Sequence, residues 1–208
     1  MTTFFTIAII HLLAVMSPGP DLILVTKNTL GASKRAGAFT AIGLGLGILV
    51  HVSYSLLGIG LLISKSIILF NSIKWIGAAY LIYIGWGALT HRSSSSSESE
   101  EVVFQRENLS TMTAIRMGFL CNVLNPKVTL FFLALFTQVI NPATPILVQV
   151  GYGLYMSIAT MVWFSFVAEF LSISVIRRQF EKMQTVFTRA MGAVLLALGM
   201  RIALSGRE

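Results

Sequence analysis

Charge is scarce in this chain. Of 208 residues only 11% are charged, and aspartate and glutamate together number 8, whereas about a quarter of an ordinary soluble domain is charged. That shortage excludes a soluble globule wrapped in a polar shell. Cysteine is rarer still: Cys121 is the only one, so neither an intrachain disulfide nor a cysteine metal cluster can form. The three histidines, His11, His51 and His91, are scattered and make no ligand pattern; no metal or cofactor is expected. The first apolar segment lacks a basic flank and a small-residue cleavage site, so no cleavable signal peptide is expected. The formal net charge of +7 would point to nucleic acid in a soluble protein. In a membrane protein it marks cytoplasmic loops instead, and no nucleic-acid partner is expected.

What the chain has is apolar sequence, 55% of it, in long blocks. A helix needs roughly 20 apolar residues to cross a hydrocarbon core about 30 Å thick, and blocks of that length recur. The expected fold is all-α and polytopic, with six spans at residues 3–25, 36–63, 67–89, 112–140, 146–176 and 185–204. A serine run and clustered charges in "HRSSSSSESEEVVFQREN" cannot pack a core and predict a flexible hydrophilic linker over 91–111. It divides a first three-helix unit, 1–90, from a second, 112–208. Lys27, Lys34, Arg35, Arg92, Arg106, Arg116, Arg177, Arg178, Lys182 and Arg189 follow spans one, three and five. The opposite side has Lys65, Lys74, Arg201 and Arg207. This bias predicts a cytoplasmic linker and both termini outside, in the periplasm of a Gram-negative host.

Each unit opens with a span broken about 15 residues in, first at Pro18 and then at Pro126, and two unbroken spans follow. Three is odd, so the second unit enters the membrane from the opposite face. The expected layout is an inverted-topology repeat with broken first and fourth helices.

The breaks carry the chemistry. Pro18 and Pro20 in "MSPGPD" donate no backbone hydrogen bond and clash with carbonyls one turn earlier. In lipid such carbonyls need protein, water or a ligand as partner. Asp21 follows directly, and a carboxylate at that depth costs about 2.5–3.5 kcal/mol on insertion scales, so it is expected to face the bundle. The second break reads "CNVLNPKVTLFF". Asn122 and Asn125 share a helix face, and Lys127 after Pro126 is the basic residue deep inside a span. Crossing of the two breaks near the midplane places Asp21 and Lys127 within ion-pairing reach. A second reading stays open, in which the prolines only kink their helices and a buried Asp–Lys pair only locks two of them together.

Other polar residues are secondary. Glu169 either carries a proton or snorkels and pairs with Arg177 and Arg178. His51 and Tyr54 either line a path or are satisfied structural groups. Gly43 and Gly47 form a GxxxG that permits close helix packing. An intramembrane enzyme would need a nucleophile–base set or paired acids, which the lone deep carboxylate and scattered histidines do not supply. An uncoupled small-solute channel and a structural subunit remain as non-enzymatic alternatives.

At "MSPGPD" and "NPK", together with "GLGLGILVHVSYSLLGIG", "IKWIGAAYLIYIGWGAL" and "GFLCNVLNPKVTLFFLALF", the chain resembles the LysE/RhtB superfamily of amino-acid exporters, in particular its homoserine/threonine efflux branch. The order and spacing of these motifs over nearly the whole chain carry the resemblance; the linker matches least. The resemblance implies a proton-driven exporter of the bacterial inner membrane, with an amino acid, protons and lipid as its partners and a homo-oligomer as one option. It marks Pro18, Gly19, Pro20, Asp21, Asn125, Pro126 and Lys127 as residues on which transport depends. Similar members are associated with threonine, homoserine, its lactone, leucine, lysine or arginine. The shortage of deep acidic residues favours a neutral substrate over a basic one. Asp21 is the expected coupling group, neutralised by an imported proton.

Overall fold

The computed structural model describes residues 2–65, 109–138 and 143–170, with isolated helical positions between 75 and 90 and between 186 and 200. Apart from those positions, the expected third span, most of the linker and the sixth span lie outside the described residues. Among the described residues there are six helices and no strand: α1 (Thr2–Met16), α2 (Pro20–Gly31), α3 (Lys34–Lys65), α4 (Thr111–Val123), α5 (Pro126–Gln138) and α6 (Ile146–Phe170).

Two of these are long and apolar enough to cross a bilayer unaided: α3, through its segment Lys34–Leu57, and α6. At 1.5 Å per residue the 32 residues of α3 extend about 48 Å. The other four form two bent pairs, each apolar and long enough, taken together, for a broken span or a re-entrant loop. α1 and α2 meet at a bend of 56° across Ser17–Gly19, and α4 and α5 at a bend of 57° across Leu124 and Asn125. Proline accounts for both interruptions, because a ring without an N–H opens each second half.

The polarity is that of a protein in lipid. Leu147 is 81% exposed, and Ile23, Leu57, Val162 and Leu124 also face outward, while Asp21 is only 9% exposed and Asn122 fully buried. Large apolar side chains on the outside and a carboxylate inside make sense only with an apolar solvent. The chain is a multi-pass membrane protein.

Packing centres on α3, which runs against α4 and α6 and touches α2 and α5; α1 lies on α6, and α2 on α4 and α6. Between lipid-immersed helices, close packing replaces the hydrophobic effect as the source of cohesion. The glycines of α3 serve that end. A Cβ on Gly43 would strike the Ile115 carbonyl, one on Gly118 the Thr40 carbonyl, and one on Gly47 would come 2.7 Å from Asn122 Oδ1. The backbones of α3 and α4 therefore touch, and the expectation of close approach at Gly43 and Gly47 is met.

Two apolar clusters bracket the breaks. One joins Ile7 and Ile10 of α1, Ile48 and Val52 of α3, Phe131, Phe132, Leu135 and Phe136 of α5, and Met156 of α6. The other joins Leu22 and Val25 of α2, Ala41 and Leu44 of α3, and Phe164, Val167 and Ala168 of α6. Along α1–α2 the first cluster precedes the break and the second follows it. A polar layer lies between them.

Candidate functional site

The first break leaves the end of α1 with carbonyls that no helical N–H can reach, because residues 18 and 20 are prolines. Lys127 takes over. Its ammonium donates to the Ser17 hydroxyl at 2.8 Å, to the Ser17 carbonyl at 3.3 Å and to the Pro18 carbonyl at 3.2 Å. A cation at a helix C-terminus also meets the negative end of the peptide dipoles. Gly19 lies between the halves with an extended backbone, φ 176°. A methyl added there would sit in van der Waals contact with the Lys127 Nζ, at 3.5 Å. Pro20 opens α2, and Asp21 occupies its first turn, where the dipole favours an anion.

The second break is held by its asparagines. Asn125 Oδ1 accepts the Lys127 backbone N–H at 3.1 Å, and the Asn125 carbonyl accepts those of Val128 and Thr129. The start of α5 at Pro126 is thereby capped. The Asn125 amide also donates to Asp21 Oδ1 at 3.1 Å, and the Asn122 amide to Asp21 Oδ2 at 2.8 Å. The Cys121 thiol points at Oδ1 from 3.5 Å. Both carboxylate oxygens thus accept from N–H groups, an arrangement that suits the ionised form, which is an acceptor only.

The structure brings Pro18, Gly19, Pro20 and Asp21 together with Asn122, Asn125, Pro126 and Lys127. It corrects one expectation about them. Among the described residues Asp21 and Lys127 do not pair directly: the carboxylate is taken up by two amides of the second break, and the ammonium by three oxygens of the first. Each break supplies the counter-group for the other, and the two charges sit side by side, separately solvated by protein.

His51 and Tyr54 join this layer. The His51 ring is fully buried, stacked on Phe132 at 5.6 Å. Its Nε2 lies 3.0 Å from the Asn122 carbonyl and its Nδ1 2.6 Å from the Tyr54 hydroxyl. It therefore buttresses the residue that holds Asp21. Glu169 does not reach the layer. Its carboxylate lies 2.7 Å from the Lys34 ammonium, with both side chains about half exposed, and Arg177 and Arg178 lie outside the described residues. The Lys34–Glu169 contact places the start of α3 beside the end of α6.

Three participants were not singled out from the sequence. Ser17 supplies the shortest bond to Lys127; its position before a proline, at the end of an apolar run, is the signal by which it could have been found. Cys121 approaches Asp21 from 100 positions away, which no local pattern announces. His11 is buried with its Nε2 3.3 Å from the Thr160 hydroxyl, a polar contact between α1 and α6.

A model of the LysE type translocator family matches residues 12–206. Over 198 residues, 92% of this chain and 93% of the relative, the chain is 32% identical to the uncharacterized membrane protein YrhP of Bacillus subtilis. It is 27% identical over 209 residues to the threonine efflux protein of Salmonella typhimurium, covering 99% of both. With the threonine efflux protein of Escherichia coli K12 it shares 26% identity over 206 residues, 97% of this chain and 98% of that protein. No solved structure matches.

Proposed function

Since the chain belongs to the LysE type translocator family and is a transporter rather than an enzyme, we propose that it exports a small neutral amino acid or close derivative, of the threonine or homoserine kind, across the inner membrane in exchange for protons. The observation that carries this reading is the meeting of the two breaks in one buried layer: an Asp21 carboxylate held by amides from 101 and 104 positions away, beside an ammonium held by carbonyls. Unwound helix ends of this kind offer acceptors for a zwitterion's ammonium and donors for its carboxylate. The threonine efflux proteins among the relatives support the substrate class. A neutral side chain suits the layer, because three of the roughly four acceptor positions of Asp21, its one described carboxylate, are already filled.

The chain then forms six spans in two inverted units, with both termini in the periplasm. Bends of 56° and 57° at matching positions support the repeat. So does the exchange of partners, in which α3 packs on α4 and α5 as α6 packs on α1 and α2. One unit rocks against the other, and the two apolar clusters part alternately to open the polar layer to either side. Asp21 is the fixed anion around which this happens, and the proton is taken up in its neighbourhood.

The test uses purified protein in liposomes loaded with a panel of amino acids, threonine first. Imposed proton gradients are expected to drive concentrative efflux, and a protonophore to abolish it. Efflux that ignores the gradient would make the protein a channel; silence across the whole panel would end the reading.

A further inference from the structure

We propose that the three oxygens around the Lys127 ammonium form a seat for a primary ammonium group that the substrate's own α-ammonium takes over, and that Lys127 gives up its proton when displaced. The inference deepens the export reading and rests on it: it names what the proton is exchanged for, and it moves the coupling role from Asp21 to Lys127.

The geometry is that of a cation site with a tethered occupant. The Ser17 hydroxyl and carbonyl and the Pro18 carbonyl lie 2.8, 3.3 and 3.2 Å from one nitrogen, which matches the three N–H donors of an ammonium. The carbonyls are available because of the proline break, so the seat is built into the backbone and does not need Lys127 to exist. A substrate α-ammonium offers the same three donors on the same sp³ nitrogen. Beside the nitrogen, Gly19 presents no side chain; a methyl there would lie in van der Waals contact with it at 3.5 Å.

One seat cannot hold two ammonium groups. Once displaced, a charged Lys127 would be a buried cation without its acceptors. The charged group beside it among the described residues is Asp21 from α2, where donors from Cys121, Asn122 and Asn125 already fill three of a carboxylate's roughly four acceptor positions. The titratable groups packed nearby have partners of their own, apart from the Nδ1 of His11. From α3, His51 is engaged by Tyr54 and Asn122. From α4, the Cys121 thiol points at Asp21. From α1, His11 bonds Thr160 of α6. Lys127 therefore leaves the seat as a neutral amine, its proton passing to water on the side from which the substrate enters. After the substrate departs on the other side, the amine takes a proton from water there and reoccupies the seat. The balance is one substrate out and one proton in, and mutual exclusion at one seat makes the exchange obligatory.

Three measurements decide it. First, threonine binding to the detergent-purified wild type releases one proton per molecule, so its apparent Kd falls about tenfold for each unit rise in pH while Lys127 starts protonated. Second, Lys127→Arg keeps a cation in the seat that cannot be shed; it folds with a melting temperature near that of wild type but binds no threonine and releases no proton. Third, in Lys127→Ala the vacated seat accepts methylammonium, which raises the melting temperature, while tetramethylammonium, with no N–H, does not; wild type responds to neither. Proton release that persists in Lys127→Arg, or methylammonium that stabilises wild type and Lys127→Ala alike, overturns the proposal. Should Lys127→Ala not fold, the wild-type and Lys127→Arg arms still decide. If wild type transports no amino acid, the export reading fails, and the methylammonium arm still judges the seat.

Discussion

The Lys127 ammonium stands 2.8 Å from the Ser17 hydroxyl across 110 positions of sequence, so the N-terminus of one half-helix closes the C-terminus of another. The relationship explains how a membrane-embedded chain tolerates two interruptions: the orphaned carbonyls of the first are satisfied by the cation of the second, and the anion of the first by the amides of the second. Neither break is complete without the other, which ties the first bent helix pair to the second through polar groups and not through apolar packing alone.

Asn122 is expected to be the most sensitive uncharged member of the layer. It donates to Asp21 at 2.8 Å, accepts at its carbonyl from the His51 edge, and lies under Gly47. Hydrogen bonds to charged groups contribute about 1.5–3 kcal/mol. Asn122→Ala should lower stability by about that amount, read as a lower midpoint in detergent unfolding curves, and should abolish concentrative transport. Asn122→Ala with wild-type unfolding would show that the Asp21 carboxylate is solvated by something else.

The touching backbones of α3 and α4 predict a sharp size limit. Gly43→Val forces a side chain into the Ile115 carbonyl, and Gly118→Val into that of Thr40; overpacking of this kind costs about 1–3 kcal/mol. At Gly151 an added Cβ would meet nothing within 4 Å, so Gly151→Ala gains helix propensity and is expected to be neutral or to stabilise by up to about 1 kcal/mol. Equal midpoints for Gly43→Val and Gly151→Ala would refute the close crossing.

How much of this could be read from sequence differed residue by residue. The breaks were plain, because proline's missing N–H acts locally, and so was the burial of Asp21, because lipid leaves a carboxylate nowhere else to go. The close packing at Gly43 and Gly47 followed from their spacing. Partner choice was not legible. Opposite charges at the two breaks suggested an Asp21–Lys127 pair, yet side-chain amides and backbone carbonyls outcompete it, because they reach the charges from positions fixed by the bend at each break. The Lys34 partner of Glu169 lies 135 positions away and depends on how α3 and α6 run against each other. The link from His51 to Asn122 depends on the same packing.

Glu169 should be dispensable for coupling. The Lys34–Glu169 pair is about half exposed, and such pairs contribute about 0–1 kcal/mol, less at high salt. Glu169→Gln is expected to export with an unchanged proton dependence in liposomes and to unfold within about 1 kcal/mol of wild type. Loss of uphill efflux in Glu169→Gln would assign the proton to the end of α6 instead of the polar layer.

Removing both charges should hurt less than removing either. In Asp21→Asn the Lys127 cation keeps its carbonyl partners but loses the anion beside it, and the Asn122 and Asn125 amides lose a charged acceptor. In Lys127→Met the carbonyls of Ser17 and Pro18 lose their donor, and Asp21 remains a buried anion without a compensating cation. Deleting one member of a buried charge system leaves the other uncompensated, whereas deleting both removes the desolvation cost of each. The double variant Asp21→Asn/Lys127→Met is therefore expected to unfold at a higher midpoint than either single variant, with a coupling of about 0.5–3 kcal/mol in the cycle. It should also fail to transport uphill, because it lacks the group proposed above to exchange the proton. Strictly additive midpoints would mean that the two charges, though held in one layer, are screened from each other by the amides and carbonyls that solvate them. The layer would then be two independent sites and not one.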